Sequence, residues 1–318
     1  MFAAVLSSDA TAWIALGVAI VALLAVDLRV MSGRDGVMSP GFAVKASAFW
    51  IALAFGFAGL LWLTAGAEEA STFVAGYLVE KSLSLDNVFV FLLLLGAFGI
   101  ADDDRHRLLT FGIVGALLLR GVFIVVGAAA LGAFSWLNIV FAAILIWTGW
   151  RLWQHRHDHG SEEKLVEGIR DRLPIGEEDH GRRFVARENG RRVLTASGAA
   201  LAGLILVDIL FAVDSVPAIL AITDDAFIVF AANAFALMGL RPLFFLVADL
   251  VERLYYLKAA LAVLLVVIGA KMALAHWVGK IGPEITLPVI ALVLGTGVVA
   301  SLVRRRRGTG GEAASVPA

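Results

Sequence analysis

Two pairs of acidic residues lie deep inside apolar stretches of this sequence, and they are Glu80, Asp86, Asp208 and Asp214. Within each pair the acids are six residues apart, and the second acid is followed by a small polar residue, Asn87 or Ser215. Carboxylate, amide and hydroxyl oxygens form the hard ligand set that Mg²⁺, Ca²⁺ and Mn²⁺ prefer, whereas zinc and copper favour His and Cys. The sequence has no cysteine, and no histidine lies deep in an apolar run. The pattern therefore predicts a divalent-cation site, with Asp86 and Asp214 at its centre and Glu80 and Asp208 along the path.

Basic residues in the same stretches leave a second interpretation open. They are Lys81, Arg120, Arg241 and Lys271. An acid at the centre of a membrane costs about 2.5–3.5 kcal/mol unless it is paired or hydrated. These residues can therefore be structural ion pairs, or counter-ions that keep an empty site neutral. The two arginines also leave an oxyanion site open, because a guanidinium binds such anions with two parallel hydrogen bonds.

The composition shows which elements must position these charges. The 318 residues are 60% hydrophobic and 17% charged, with a mean hydropathy of +0.88, whereas soluble proteins are about 45–50% apolar and about 25% charged. The excess excludes a water-soluble fold and predicts an all-α polytopic membrane protein. A spanning helix needs about 20 mainly apolar residues. Nine such runs are present: Thr11–Val30, Val44–Thr64, Phe73–Ile100, Leu108–Phe134, Trp136–Trp153, Thr195–Thr223, Ala226–Leu250, Tyr255–Leu274 and Ile285–Val303.

The basic residues between the runs predict the orientation of the chain. Twenty-one of the 26 Lys and Arg residues fall in connections on one side, and the other side holds Lys280 alone. The positive-inside rule then places the N-terminus outside and the C-terminus in the cytoplasm of a cell whose inner membrane the protein spans. The lipid bilayer is accordingly the first expected partner.

The runs divide a single membrane domain, residues 1–318, into parts. Residues 11–153 hold the first five helices, and residues 195–303 hold the last four. Between them, residues 154–194 form a polar cytoplasmic loop with some helix and a short tract of His155, His157 and His159. Residues 304–318 form a tail that begins with four arginines and that we expect to be disordered.

The acid pairs belong to a longer repeated pattern. Leu119-Arg120 in the fourth run corresponds to Leu240-Arg241 in the seventh, and GWR (149–151) in the fifth corresponds to GAK (269–271) in the eighth. The repeat unit is thus three helices, spans 3–5 and spans 6–8. An odd number of crossings inverts the second copy in the membrane. Transporters with inverted repeats bind their substrates near the midplane, where the copies meet.

Three segments resemble the TerC family of integral membrane proteins, which includes the tellurium-resistance protein and the Alx-type manganese exporters. They are EKSLSLDNVFVF (80–91), FAVDSVPAILAITDDAFIVFAANAFALMGLRPLFFL (211–246) and GAKM (269–272). The resemblance implies inverted three-helix repeats, and it implies that Glu80, Asp86, Asn87, Asp214 and Ser215 bind or conduct the metal. Many relatives carry an acid where this chain has Ile205, and their first unit often ends in Gly-x-Lys-Met, where this chain reads GWR.

These observations predict a secondary transporter, not an enzyme, that exports Mn²⁺ or another divalent cation in exchange for protons. No permanent cofactor and no nucleic-acid partner are expected, and a homo-oligomer is left open. Two rival functions remain. One is a tellurite or oxyanion resistance protein built on the arginines, and the other is a membrane scaffold of a stress-response complex.

Overall fold

The computed structural model describes residues 10–32, 39–134, 136–155, 160–176, 183–188, 191–250, 256–278 and 283–312. Within these ranges the chain forms eleven helices and one two-stranded sheet. The helices are α1 (Ala10–Ser32), α2 (Pro40–Thr64), α3 (Ala67–Ala97), α4 (Asp102–Ala133), α5 (Leu137–Gln154), α6 (Gly160–Arg170), α7 (Ala196–Leu220), α8 (Ala226–Met238), α9 (Leu240–Leu250), α10 (Leu257–Val278) and α11 (Pro283–Glu312). The strands are β1 (Val185–Glu188) and β2 (Arg191–Leu194).

The all-α membrane fold is confirmed, and each of the nine apolar runs lies on a helix or, for the seventh, on a bent pair of helices. By length and composition six helices can cross a membrane, namely α1, α2, α4, α7, α10 and α11. The pair α8 and α9 passes the same test as one bent span. The two other helices that hold apolar runs, α3 and α5, carry more charged or polar residues in their apolar stretches. The count of nine spans therefore stays a prediction.

The seventh run is broken rather than continuous. Helix α8 ends at Met238, and α9 begins at Leu240 with a bend of 42°. Pro242 explains the break, because a proline ring collides with the carbonyl four residues earlier, which here belongs to Met238. The proline is visible in the sequence, but the uniform hydrophobicity of the run hides the bend.

The polar segment 154–194 is more ordered than the predicted loop. It contains α6 and an antiparallel hairpin in which Val185 pairs with Leu194 and Arg187 with Arg192. Val166 on α6 is buried in the main hydrophobic core, and α6 packs against α3 and α7. The helix in this segment agrees with the expectation. The strands were missed because four-residue strands with charged residues give almost no periodic signal.

The last helix is longer than expected. Helix α11 continues to Glu312, so residues 304–312 of the predicted disordered tail are helical, and residues 313–318 lie outside the described residues. Adding residues to an existing helix is far easier than starting one.

The two predicted repeat units pack against each other in a reciprocal way. The first helix of each unit contacts the second helix of the other, α3 with α8 and α7 with α4, and the third helices α5 and α10 contact each other. A Cβ atom on Gly149 of α5 would lie 2.7 Å from the Ala262 carbonyl oxygen, and one on Gly269 of α10 would lie 3.0 Å from that of Ala142. Gly149 and Gly269 correspond to each other in the repeat. Ala262 lies seven residues before Gly269, and Ala142 lies seven residues before Gly149, so the two contacts are equivalent. This antiparallel exchange supports the inverted repeat.

Candidate functional site

Arg120, in the middle of α4, is buried between two carboxylates from other helices. Its Nε and Nη2 donate to Oδ1 of Asp208 on α7 at 3.2 and 2.9 Å, and its Nη1 pairs with Oε1 of Glu80 on α3. The three side chains are 0–3% exposed. Glu80 belongs to the first repeat unit and Asp208 to the second, so the arginine joins an acid of each unit. We call these three residues the central ion cluster.

The central ion cluster contains two carboxyl groups and one guanidinium, so with both acids ionised it would carry one surplus negative charge. Ion pairs taken out of water are stable only when geometry and further hydrogen bonds offset the loss of solvation. In this arrangement the guanidinium occupies oxygens of Glu80 and Asp208 that a metal ion would need. Both acids are therefore paired in the state that the structure represents.

Glu80 and Asp86 do not share a face of their helix. Helix α3 runs without interruption from Ala67 to Ala97, and six residues on a straight helix turn the side chains about 120° apart. The sequence left a broken helix or two separate positions open, and the continuous helix decides for separate positions. The side chain of Asp86 lies outside the described part of the structure. Asn87, beside it, is 4% exposed.

Asp214 on α7 meets residues of the other repeat unit. Thr148 on α5 donates its hydroxyl to Oδ1 of Asp214 at 2.8 Å, and the Arg151 guanidinium, one turn further along α5, interacts with the same carboxylate electrostatically. Asp214 is only partly buried, in contrast to the central ion cluster. Ser215 is 1% exposed, and its hydroxyl has no hydrogen-bond partner among the described residues.

The second arginine of the repeat has a different role from Arg120. Arg241, near the start of α9, donates from Nη1 to Oδ2 of Asp27 on α1 at 2.8 Å and from Nη2 to the His106 carbonyl at 3.1 Å. Asp27 lies outside both repeat units. The two arginines therefore occupy corresponding positions in the repeat but bind acids that do not correspond. The ion pair of Arg241 holds α1 against the other helices.

Lys81 binds at the break between α8 and α9. Its ammonium donates to the Ala236 carbonyl at 3.1 Å, close to the C-terminus of α8, where the helix leaves carbonyls without partners and its dipole attracts cations. Gly239 makes room, because a Cβ atom there would lie 2.7 Å from Nζ of Lys81. The broken helix thus has a tethered positive charge at its carbonyl end.

The remaining basic candidate lies further along the second unit. Lys271 on α10 is partly buried and interacts electrostatically with Glu284 at the start of α11. In the polar segment His155 contacts the Arg151 carbonyl through Nδ1 at 2.9 Å. The other two histidines of the tract, His157 and His159, lie outside the described residues.

No group of three or more His, Cys, Asp or Glu side chains is close enough to hold a metal ion in the ranges that the structure describes. The four described acids inside the apolar runs are instead distributed over three places, namely the central ion cluster, the Asp214–Thr148 pair and the Arg241–Asp27 pair. The predicted pairing of Asp86 with Asp214 stays a prediction, because it needs the side chain of Asp86.

Sequence reasoning missed three polar residues of this region, Tyr77, Thr148 and Asn233. Thr148 bonds Asp214, while the Tyr77 hydroxyl and the Asn233 amide are buried without partners in the described part of the chain. Each is a neutral polar residue within an apolar run, which is the one signal that could have identified it. A charged residue in an apolar run is a stronger signal of a site than a neutral polar one.

Comparison with known proteins places the chain among bacterial membrane proteins. An uncharacterised membrane protein of Myxococcus xanthus is 43% identical over 289 residues, which is 90% of this chain and 90% of the relative. An uncharacterised membrane protein of Rickettsia felis is 35% identical over 295 residues, covering 92% of this chain and 98% of the relative.

A third relative comes from Escherichia coli strain K12 and has the provisional name of membrane-bound redox modulator Alx. It is 37% identical over 277 residues, which is 83% of this chain and 86% of the relative. No solved structure matches the chain significantly.

The family model for the integral membrane protein TerC family matches residues 65–309, which contain all the helices from α3 to α10 and most of α11. The sequence motifs, the long relatives and this match agree with one another. The chain belongs to the TerC family of integral membrane proteins.

Proposed function

We propose that this protein is a secondary transporter that exports divalent metal ions, with Mn²⁺ as its main substrate, in exchange for protons. The observation that carries the proposal is the central ion cluster. A buried arginine joins Glu80 of one repeat unit to Asp208 of the other, at the kind of junction where inverted-repeat transporters bind their substrates. Ion pairing at such a junction can change when the units move.

In the proposed cycle the basic residues balance the acids while no metal is bound. Asp214 and Asp86 receive the ion together with the neutral oxygens of Asn87 and Ser215. Carboxylates must be deprotonated to bind metal, so metal binding releases protons. Rearrangement of the two units then exposes the ion to the other side of the membrane, and protons return the acids to their original state.

The test is efflux of Mn²⁺ from proteoliposomes that contain the purified protein. We expect Asp214→Asn and Asp86→Asn each to reduce the rate at least tenfold, because an amide supplies an oxygen without the charge that a divalent ion needs. Thr296→Val is the matched control, since this exposed hydroxyl on α11 donates only to the carbonyl of its own helix at Leu292, at 2.6 Å. Unchanged efflux in the two asparagine variants would contradict the proposed role of the acids.

The oxyanion alternative is weaker. It needs guanidinium groups that are free to bind an anion, yet Arg120 and Arg241 both donate to carboxylates. A redox role, as in the name of the Alx relatives, would have to proceed without thiol chemistry of this sequence, which has no cysteine.

The scaffold alternative rests on segment 154–194. Part of this segment is already engaged with the bundle, since Val166 is buried in the core and Phe184 packs under the Arg107 guanidinium of α4 at 4.6 Å. Deleting residues 160–190 also removes Val166 from the core, so the deletion is compared with Asp214→Asn to separate the two functions. A scaffold would lose its activity and not need Asp214, whereas a transporter needs the acid.

A further inference from the structure

Asn233 on α8 is a buried amide with no hydrogen-bond partner in the described part of the structure. The residue is 1% exposed, and neither its Oδ1 nor its Nδ2 is bonded. Its neighbours along the helix are fully buried alanines, Ala231, Ala232, Ala234 and Ala236. An amide among methyl groups gives up its hydrogen bonds to water and gains none in return. Packing alone therefore gives no reason for an asparagine here.

Contacts on both sides of Asn233 fix its level against α3. Ala232 lies against Gly76, since a Cβ atom on that glycine would be 3.3 Å from the Ala232 Cβ. The Ala236 carbonyl accepts from Lys81, five residues further along α3. The two helices therefore run parallel here, and Asn233 lies beside the turn of α3 that contains Tyr77.

A contact with α4 places Asn233 near the central ion cluster. Phe230 packs on Gly121, since a Cβ atom on that glycine would be 3.1 Å from the Phe230 ring. Asn233 follows Phe230 by three residues and Arg120 precedes Gly121 by one. With a rise of about 1.5 Å per residue, Asn233 and Arg120 lie within about one helical turn of the same level.

The face of α3 at this level is polar. Tyr77, Glu80, Ser84 and Asn87 follow one another at spacings of three and four residues, which puts them on one side of the helix, and each is at most 4% exposed. The hydroxyls of Tyr77 and Ser84 have no hydrogen-bond partner among the described residues. Asn233, Tyr77 and Ser84 are therefore buried polar groups of one region whose side chains have no hydrogen-bond partner among the described residues.

We propose that Asn233 is the ligand that α8 contributes to the transported cation as it passes the polar face of α3. The inference rests on the proposed function and adds a neutral oxygen from the broken span to the acidic residues. An amide oxygen is a hard ligand suited to divalent cations. It replaces water around the ion without adding charge, so it does not hold the ion as firmly as another carboxylate would.

The experiment compares Asn233→Leu, which keeps the number of side-chain heavy atoms and the branch at Cγ, with the wild-type protein and with Thr296→Val. We expect the leucine variant to export Mn²⁺ at least tenfold more slowly than the wild type. Its Tm in detergent should be equal or higher, because an unpartnered buried amide is removed. Added Mn²⁺ should raise the Tm of the wild type and of the control, but not that of the leucine variant. If the leucine variant cannot be purified, Asn233→Ala carries the same expectations for efflux and for the effect of Mn²⁺ on the Tm, but not for the Tm itself, because alanine leaves a cavity.

Three outcomes would overturn the role of Asn233. They are efflux like that of the wild type in the variant, an unchanged Mn²⁺ effect on its Tm, and a Tm below that of the wild type, which would make the residue structural. These results differ from failure of the proposed function, in which the wild-type protein itself does not export Mn²⁺.

Discussion

At the scale of single residues, the acids and bases of the membrane region are sorted by their partners. Glu80 and Asp208 are tied to Arg120, and Asp27 is tied to Arg241, whereas Asp214 meets a hydroxyl and is only partly buried. A carboxylate bound to a hydroxyl is easier to release to a metal ion than one held by a buried guanidinium. If the proposed function holds, we therefore expect Asp214 to receive the ion first among the described acids.

The central ion cluster predicts a large effect of Arg120 on stability. Arg120→Met leaves two carboxylates buried without their cation, and breaking a buried ion pair costs about 3–5 kcal/mol. We expect a clear drop in Tm or in the yield of folded protein. Adding Glu80→Gln and Asp208→Asn to the variant removes the stranded charges and should restore most of the stability.

The matched control is Arg151→Met, because Arg151 is exposed and lies over the Trp147 ring at 5.5 Å. It should lower the Tm much less. Thermal unfolding followed by tryptophan fluorescence measures all of these variants. Equal stability of Arg120→Met and the wild type would mean that Glu80 and Asp208 do not depend on the guanidinium.

At the scale of helices, two glycines let the third helices of the units approach closely. Gly149 and Gly269 each face a backbone carbonyl of the opposite helix, that of Ala262 or Ala142. Backbone cannot move aside as a flexible side chain can. The close packing of α5 on α10 is therefore a fixed contact between the units.

Gly149→Ala and Gly269→Ala should each destabilise the protein by about 1–3 kcal/mol, as overpacking of a tight contact does. Similar losses in the two variants are expected because the contacts are reciprocal. Gly59→Ala on α2 is the control, since nothing lies within 4 Å of its added Cβ atom, and alanine favours helix over glycine by up to about 1 kcal/mol. Urea unfolding in detergent gives the comparison. A loss confined to one of the two glycines would argue against the reciprocal arrangement.

At the scale of the whole molecule, the two units are joined by contacts that are symmetric in the helices and asymmetric in the charges. The first helix of each unit packs on the second helix of the other unit. In contrast, Arg120 binds acids of both units, while Arg241 binds Asp27 of α1. Symmetric packing suits two alternative arrangements of similar energy. The asymmetric charges make the two arrangements unequal in energy.

Proton exchange belongs to this scale, because it depends on both faces of the membrane. We expect Mn²⁺ efflux from proteoliposomes to speed up when the outside is made acidic relative to the inside, and a proton-sensitive dye inside the vesicles should report proton uptake in step with it. Low pH on both sides should slow efflux, because protonated carboxylates do not bind metal. Efflux without any proton uptake would exclude the exchange.

The sequence predicts the fold class well because hydrophobicity over 20 residues is a signal local to each helix. It also identifies Arg120 and Arg241 as candidates for ion pairs, but it does not distinguish their partners, since those depend on which helices meet. The bend at Gly239 was missed because the run that contains it is uniformly apolar. The hairpin after α6 was missed because its strands are short and charged. Thr148 and Asn233 were missed because a single neutral polar residue carries no pattern.

Helix α6 has a mechanical consequence through its position. It packs against α3 of the first unit and α7 of the second, and its Val166 is buried in the main hydrophobic core. If α3 slides past α7, α6 must therefore move with one of them or lose its contacts and expose its apolar side to water. Because exposing a valine costs about 1.5–3 kcal/mol, α6 opposes any sliding of α3 past α7 that would expose Val166.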